Sequence, residues 1–197
     1  MNLPNLITLS RVPLMFIIVW LMYQKWTGAA SLAFWLFIIA AVGDWADGYL
    51  ARRMNLVSTF GKLMDALTDK IMVLGLMIAL VDLKIIPIFW VLLTLCREFL
   101  VSGMRMVAAA QGVIVAADKS GKTKTVTQLL AIGFLLFTPM LSTDWRYLLV
   151  GWDVSLYHEV IQKIGLALFI LGTALAVSSG VAYLWRYRGL LLQEKQA

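Results

Sequence analysis

The sequence predicts an all-α integral membrane protein: a bundle of six transmembrane helices with a short N-terminal interfacial helix. Two observations predict this fold class. The 197 residues are 61% hydrophobic and only 14% charged, and the mean hydropathy is +0.85. Soluble domains carry about 25% charged residues, so this composition favours a lipid-embedded chain. We expect a single membrane domain that covers residues 1–197.

The first two predicted spans cover residues 6–23 and 26–43. Residues 2–9 are mixed polar and apolar, and we expect them to form the interfacial helix that leads into a first span bent at Pro13. The first span contains one charge, Arg11, whereas the second contains none. Both approach the roughly 20 residues that a crossing helix requires.

The third and fourth predicted spans, residues 63–81 and 85–104, are apolar stretches interrupted by charges. An ionised side chain at the centre of a bilayer costs roughly 3 kcal/mol even on the most lenient insertion scale. These charges therefore require a physical reason. They are Asp65, Asp69, Lys70, Arg97 and Glu98.

The last two predicted spans, residues 125–143 and 164–185, contain no charge. We expect residues 118–124, which precede the fifth span, to form a polar loop. Residues 142–159 contain two Trp and two Tyr, a composition typical of a segment at the level of the lipid headgroups.

The net charge of +6 would suggest nucleic acid in a soluble protein, but here its distribution indicates a membrane side instead. Six crossings place both termini on one face with most of the Lys and Arg residues. The opposite face has only four: Lys25, Lys84, Arg146 and Lys163. By the positive-inside rule both termini are cytoplasmic, at an inner membrane crossed several times, and no nucleic-acid partner is expected.

Four aspartates lie on the cytoplasmic side of the second and third spans. Asp44 and Asp47 are three residues apart, and Asp65 and Asp69 are four apart, so each pair shares one helix face. Four carboxylates in a low dielectric stay ionised together only if cations balance them. Oxygen ligands select Mg²⁺, Mn²⁺ or Ca²⁺ over zinc. We therefore predict a pair of divalent cations, the arrangement used in phosphoryl chemistry.

Small residues and one cation accompany the aspartates. Gly48 and Ala51 leave room for a ligand against the helix, Arg52 can donate to phosphate oxygens, and Gly61 opens the next helix region. Two other interpretations remain. The aspartates can form structural ion pairs with Lys70 or Arg97, or they can line the pathway of a cation or proton transporter.

At these residues the chain resembles the CDP-alcohol phosphatidyltransferase family, whose signature is D-x2-D-G-x2-A-R, seven or eight residues, then G-x3-D-x3-D. All eight signature positions are present, and eight residues separate Arg52 from Gly61. Residues 3–11, 97–105 and 121–128 also look like the bacterial branch of the family that uses glycerol 3-phosphate. One departure is Ala66, where this branch commonly has Pro.

The resemblance implies a six-helix, homodimeric enzyme of phospholipid biosynthesis, with a cytoplasmic cavity open to membrane lipid. It would transfer the phosphatidyl group of CDP-diacylglycerol to glycerol 3-phosphate, giving phosphatidylglycerophosphate and CMP, with two Mg²⁺ or Mn²⁺ ions. The resemblance makes Asp69 the general base, and it implies this metal-binding set: Asp44, Asp47, Asp65 and Asp69. It implies this set for binding CDP-diacylglycerol: Asp44, Gly48, Ala51, Arg52, Gly61, Asn5 and Thr8.

The acceptor site is predicted from cations on the cytoplasmic side. They are Arg97, Arg105, Lys122 and Lys124, and the resemblance adds Arg11. A phosphorylated acceptor requires such donors, and we expect Glu98 to orient Arg97. Lys119, Lys122 and Lys124 can instead contact anionic headgroups from a loop. The same chemistry with inositol phosphate, phosphatidylglycerol, serine or choline as acceptor is the nearest alternative.

Overall fold

The chain folds into helices joined by short turns. The computed structural model describes residues 3–53, 59–110, 119–149, 151 and 153–188, and for residues 3–8, 44–53, 59–66, 69, 110 and 119–122 it describes the backbone alone. These residues form six α-helices and no strand. The helices are α1 (Leu3–Met22), α2 (Ala29–Arg53), α3 (Thr59–Asp82), α4 (Ile88–Ala110), α5 (Lys119–Pro139) and α6 (Val154–Arg186).

Each predicted span overlaps one helix, but the predicted interfacial helix is not a separate element. Residues 3–11 continue without a break into the rest of α1. Pro4 lies in the first turn, where a missing N–H costs no hydrogen bond, and it therefore starts the helix. Pro13 lies inside the same helix, as membrane proteins tolerate when neighbouring groups compensate for the lost bond.

The predicted polar loop at residues 118–124 is wrong for the part that the structure describes. The α5 helix already begins at Lys119, although Ser, Gly and Thr in this stretch have low helix propensity. Lys124 is buried and contacts α4, so tertiary packing outweighs the local preference. After Pro139 the chain continues as a π-helical turn, Met140–Asp144, and a 3₁₀ turn, Arg146–Leu148.

Two helix boundaries have clear local causes. The α3 helix ends where Lys84 adopts a left-handed backbone conformation (φ 58°), and Ile85 N–H donates back to the Leu80 carbonyl at 2.9 Å. At the start of α6, the Asp153 carboxylate accepts bonds from the Ser155 hydroxyl and from the backbone N–H groups of Ser155 and Leu156. These bonds, led by the Ser155 hydroxyl, lower the pKa of Asp153, so this cap weakens only when acid protonates it.

The helices pack in a closed ring whose order is α1, α2, α5, α6, α4, α3. Consecutive helices such as α2 and α3 are therefore separated in the ring by α1, which packs against both. The centre is filled by large side chains that are almost completely buried: Ile18, Phe37, Leu76, Ile132 and Phe169. Because the ring brings non-consecutive helices into contact, residues far apart in sequence can meet at either end of the bundle.

Hydrogen bonds at one end of the bundle fix the direction of four helices. The Tyr23 hydroxyl after α1 donates to the Asp82 carboxylate at the end of α3, at 2.6 Å. The Asp144 carboxylate, after α5, accepts from the N–H and the hydroxyl of Ser31 in the first turn of α2, at 2.7 and 2.8 Å. The signature aspartates lie toward the other end of α2 and α3.

The outer surface of the bundle is apolar on every helix. Large exposed side chains include Phe16, Trp35, Ile78, Phe89, Leu130 and Leu171. Two segments, Thr123–Asp144 and Val154–Arg186, are long and apolar enough to cross a membrane by length and composition, and shorter apolar stretches occur at Leu9–Met22 and Ala29–Gly43. These features are those of a helical membrane protein. The prediction of six crossings stays a prediction.

Candidate active site

The signature aspartates lie where only the backbone is described. Asp44 and Asp47 are in the C-terminal half of α2, and Asp65 and Asp69 are in the N-terminal half of α3. The backbone is helical through both stretches, as the argument from spacing requires, and it keeps each pair on one helix face. Their side chains lie outside the description, so their roles stay predictions.

Other predicted site residues have the same status. Their backbone is helical and their side chains lie outside the described part of the chain. They are Asn5 and Thr8 in α1, Gly48, Ala51 and Arg52 in α2, Gly61 in α3 and Lys122 in α5.

A metal site can be assessed only from the chemistry of the donors. The side chains that the structure describes do not include those of the four signature aspartates. Among the described side chains, no three His, Cys, Asp or Glu residues form a group that could hold a metal ion. Four carboxylates on two uninterrupted helices are a set of hard oxygen donors. Such a set fits Mg²⁺ or Mn²⁺, which prefer oxygen ligands.

Three cations from three different helices converge on the carboxylate of Glu98 in α4. Arg97 Nη1 donates to Glu98 Oε1 at 2.7 Å, Lys124 Nζ from α5 donates to the same oxygen, and Lys70 Nζ from α3 lies 3.7 Å from Oε2. The side chains of Arg97, Glu98 and Lys124 are largely buried. We call these four residues the Glu98 cluster. The predicted contact between Glu98 and Arg97 is present.

The α6 helix holds Arg97 from the other side. Arg97 Nε donates to the Ala176 carbonyl at 3.0 Å, and Nη2 donates to the Ser179 hydroxyl at 3.1 Å. Gly180 makes room for this arrangement, because a Cβ atom there would lie 2.7 Å from Arg97 Cγ. No residue of α6 was among the predicted site residues. The small polar run of residues 178–180 inside an apolar helix was the available signal.

Lys70 is the cluster member that was not among the residues predicted for the acceptor site. It directly follows Asp69, and its ammonium group donates to the Ser102 hydroxyl of α4, which in turn donates to the Glu98 carbonyl at 2.7 Å. Its position as a charge within an apolar span was the signal. The α3 helix therefore carries both the predicted base and one cation of the cluster.

The remaining predicted cations lie apart from the Glu98 contacts. Arg105 is two turns further along α4, and its guanidinium carbon lies 5.8 Å from the centre of the Tyr183 ring. The buried Tyr183 hydroxyl has no hydrogen-bond partner among the described residues. Arg11 in α1 is buried, with 3% of its surface exposed. The structure thus brings Arg97 and Lys124 together and adds Lys70 to them.

In the described part of the site, three cations thus share one carboxylate. Buried cations are tolerated when anionic groups pair with them, so such a group of cations suits an anionic ligand. Arg and Lys donate strong, charge-assisted hydrogen bonds to phosphate. The cluster can therefore bind a phosphate group next to the helix that carries Asp69.

Comparison with known proteins gives a consistent result. The model of the CDP-alcohol phosphatidyltransferase family matches residues 1–177. Three similar proteins carry the name CDP-diacylglycerol–glycerol-3-phosphate 3-phosphatidyltransferase. The protein from Bacillus subtilis is 43% identical over 147 residues, covering 68% of this chain and 76% of its own. That from Rickettsia typhi is 38% identical over 135 residues, with the same two shares. That from Salmonella choleraesuis is 32% identical over 199 residues, covering 98% of each chain.

Proposed function

The chain belongs to the CDP-alcohol phosphatidyltransferase family, and from this premise we propose that it transfers the phosphatidyl group of CDP-diacylglycerol to glycerol 3-phosphate. The products are phosphatidylglycerophosphate and CMP. The names of its relatives support this reaction. The structural observation that carries the choice of acceptor is the Glu98 cluster, whose three cations suit a phosphorylated alcohol rather than a neutral one.

The reaction exchanges one P–O bond for another. A hydroxyl oxygen of glycerol 3-phosphate bonds to the phosphorus that carries diacylglycerol, and the bond from that phosphorus to the CMP oxygen breaks. Asp69 accepts the hydroxyl proton, for which it must come within about 3 Å of that oxygen. CMP leaves with the electron pair of the broken bond.

Two divalent cations, Mg²⁺ or Mn²⁺, belong to this proposal. Asp44, Asp47, Asp65 and Asp69 would hold them, with Asp69 serving also as base. When bound, the ions supply positive charge that stabilises the phosphate oxygens of the leaving group. Arg52 would donate to the same phosphates, and Gly48 and Ala51 would leave room for the nucleotide.

The remaining acceptor and nucleotide contacts are also proposals. Arg11, Arg105 and Lys122 would add to the phosphate site, and Asn5, Thr8 and Gly61 would line the nucleotide side. The enzyme would be a homodimer in the cytoplasmic membrane, with both termini and the active site on the cytoplasmic face. The apolar outer surface and the unequal distribution of Lys and Arg support this orientation.

The test is a substrate screen with purified protein in lipid nanodiscs. CDP-diacylglycerol and Mg²⁺ or Mn²⁺ are offered with glycerol 3-phosphate, inositol phosphate, serine, choline or phosphatidylglycerol, and both CMP and lipid product are measured. We expect phosphatidylglycerophosphate as the main product. CMP release only with a different acceptor would show that the proposed acceptor is wrong. No CMP release with any of these acceptors would refute the proposed enzymatic activity.

Asp69→Asn tests the base in the same assay. Losing a positioned general base lowers the turnover rate by about 10²–10⁴-fold. Asp82→Asn is the matched control, since Asp82 lies at the opposite end of α3 and contacts Tyr23. We expect Asp82→Asn to keep most of the activity. Equal rates for the two variants would contradict the role of Asp69.

A further inference from the structure

We propose that Glu98 is a positioning residue for the phosphate of the acceptor: it holds Lys70, Arg97 and Lys124 together without touching substrate itself. This inference rests on the proposed function. It adds to that function the residue that organises the acceptor site and one cation, Lys70, that contributes to it.

The geometry assigns both carboxylate oxygens of Glu98 to cations. Oε1 accepts from Arg97 and Lys124, and Oε2 faces Lys70. Because these cations come from α4, α5 and α3, one carboxylate connects three helices. Among the described residues, Glu98 is the acid that all three cations share.

Arg97 is held in one orientation and still has N–H donors for a ligand. Its bonds to Glu98, Ala176 and Ser179 use three of the five N–H donors of a guanidinium group. The two remaining donors, one on each terminal nitrogen, match the fork that binds two phosphate oxygens. Glu98 and α6 thus prepare Arg97 for an anion before it arrives.

The ligand and the cations carry opposite charges. A phosphate monoester carries about −1.5 to −2 near neutral pH and is attracted to all three cations. Without Glu98 the three cations would repel one another and separate, and the site would bind phosphate less well.

The test compares Glu98→Gln with wild type in steady-state kinetics. We expect the KM for glycerol 3-phosphate to rise at least about tenfold, because the cations are no longer held together, while the KM for CDP-diacylglycerol changes less than about twofold. Inorganic phosphate, competing with glycerol 3-phosphate, should inhibit the variant at least about tenfold more weakly. A merely structural role would change both KM values or neither.

Glu159→Gln is the matched control. Glu159 forms an exposed ion pair with Lys163 on α6, and we expect its replacement to leave both KM values unchanged. Glu98→Asp keeps the charge on a shorter side chain and should give an intermediate KM for glycerol 3-phosphate. If Glu98→Gln does not fold, Glu98→Asp carries the test, and an unchanged KM for the acceptor then overturns the proposal.

The outcomes separate the two proposals. A wild-type enzyme that makes no product from glycerol 3-phosphate refutes the proposed function. A wild-type enzyme that uses glycerol 3-phosphate, together with a Glu98→Gln variant whose KM for it is unchanged or lower, refutes the positioning role alone. A lower KM would show that Glu98 competes with the phosphate for the cations.

Discussion

The position of Arg97 depends on a residue that has no side chain. Gly180 in α6 lies against Arg97 so closely that a Cβ atom would come within 2.7 Å of Arg97 Cγ. The overlap involves the base of the arginine side chain, close to the backbone, where little adjustment is possible. The guanidinium bonds to Ala176 and Ser179 therefore depend on glycine at this position.

Gly180→Ala is expected to impair acceptor binding. An overpacked contact costs about 1–3 kcal/mol, and if the arginine moves to relieve it, the KM for glycerol 3-phosphate should rise by about 5- to 150-fold. The change is measured by steady-state kinetics at saturating CDP-diacylglycerol.

Gly103→Ala in α4 is the control for this substitution. A Cβ atom at Gly103 meets nothing within 4 Å, so the KM for the acceptor should stay at the wild-type value. The same KM in both variants would show that Arg97 is not held as described.

At the scale of the elements, polar contacts join α4 to α6 inside an apolar bundle. Thr94 and Thr173 are buried, and their hydroxyl oxygens lie 3.1 Å apart. Thr94 donates to the Trp90 carbonyl, and a hydroxyl has one proton to donate. Thr173 is therefore the donor of the bond between the helices, and Thr94 the acceptor.

This assignment predicts that Thr94→Val is more destabilising than Thr173→Val. The first substitution leaves a buried donor without its acceptor, and the second removes the donor itself. Interhelical hydrogen bonds in membrane proteins contribute about 0.6 kcal/mol on average, so the double-mutant cycle should give a coupling of this order. Thermal unfolding in detergent measures the stability of the two single variants and of the double variant.

Thr143→Val provides the comparison for the threonine pair. The Thr143 hydroxyl is exposed and bonds within its own segment to the Pro139 carbonyl. Its replacement should change the melting temperature little. A coupling of zero between Thr94 and Thr173, or equal losses for the two single variants, would contradict the proposed direction of the bond.

At the scale of the whole molecule, the ring of helices separates two kinds of surface. Its outer face is apolar, and the buried charges of Arg97, Glu98 and Lys124 are separate from the buried Asp144 at the other end of the bundle. That end is closed by the bonds of Tyr23 with Asp82 and of Ser31 with Asp144. This arrangement suits an enzyme whose lipid substrate enters from the membrane and whose acceptor enters from water.

Removal of metal should abolish the activity of the whole enzyme. Without bound cations the four aspartates would repel one another. We therefore expect excess EDTA to stop CMP release, and we expect Mg²⁺ or Mn²⁺ in excess of the chelator to restore it. The melting temperature in detergent, followed during the same titration, provides a readout independent of turnover. Full activity after exhaustive chelation would refute the proposed pair of divalent cations.

Much of the fold follows from local sequence patterns. Apolar runs between charged or glycine-containing turns predicted all six helices, because such runs are formed by residues that are close together in sequence. The start of α5 was not predictable in this way. Its first turns contain Ser, Gly and Thr, and the contact of Lys124 with α4 becomes visible only once the helices are packed.

By itself the sequence determined the helical class, the presence of six helices and the spacing of Asp44, Asp47, Asp65 and Asp69, because these depend on residues close together in the chain. Only the tertiary structure decided that Lys70, Arg97 and Lys124 share Glu98, and that α6 holds Arg97 through Ala176 and Ser179. Arg97 and Ser179 are 82 residues apart. Such a contact depends on how whole helices pack side by side, and local periodicity carries no information about that.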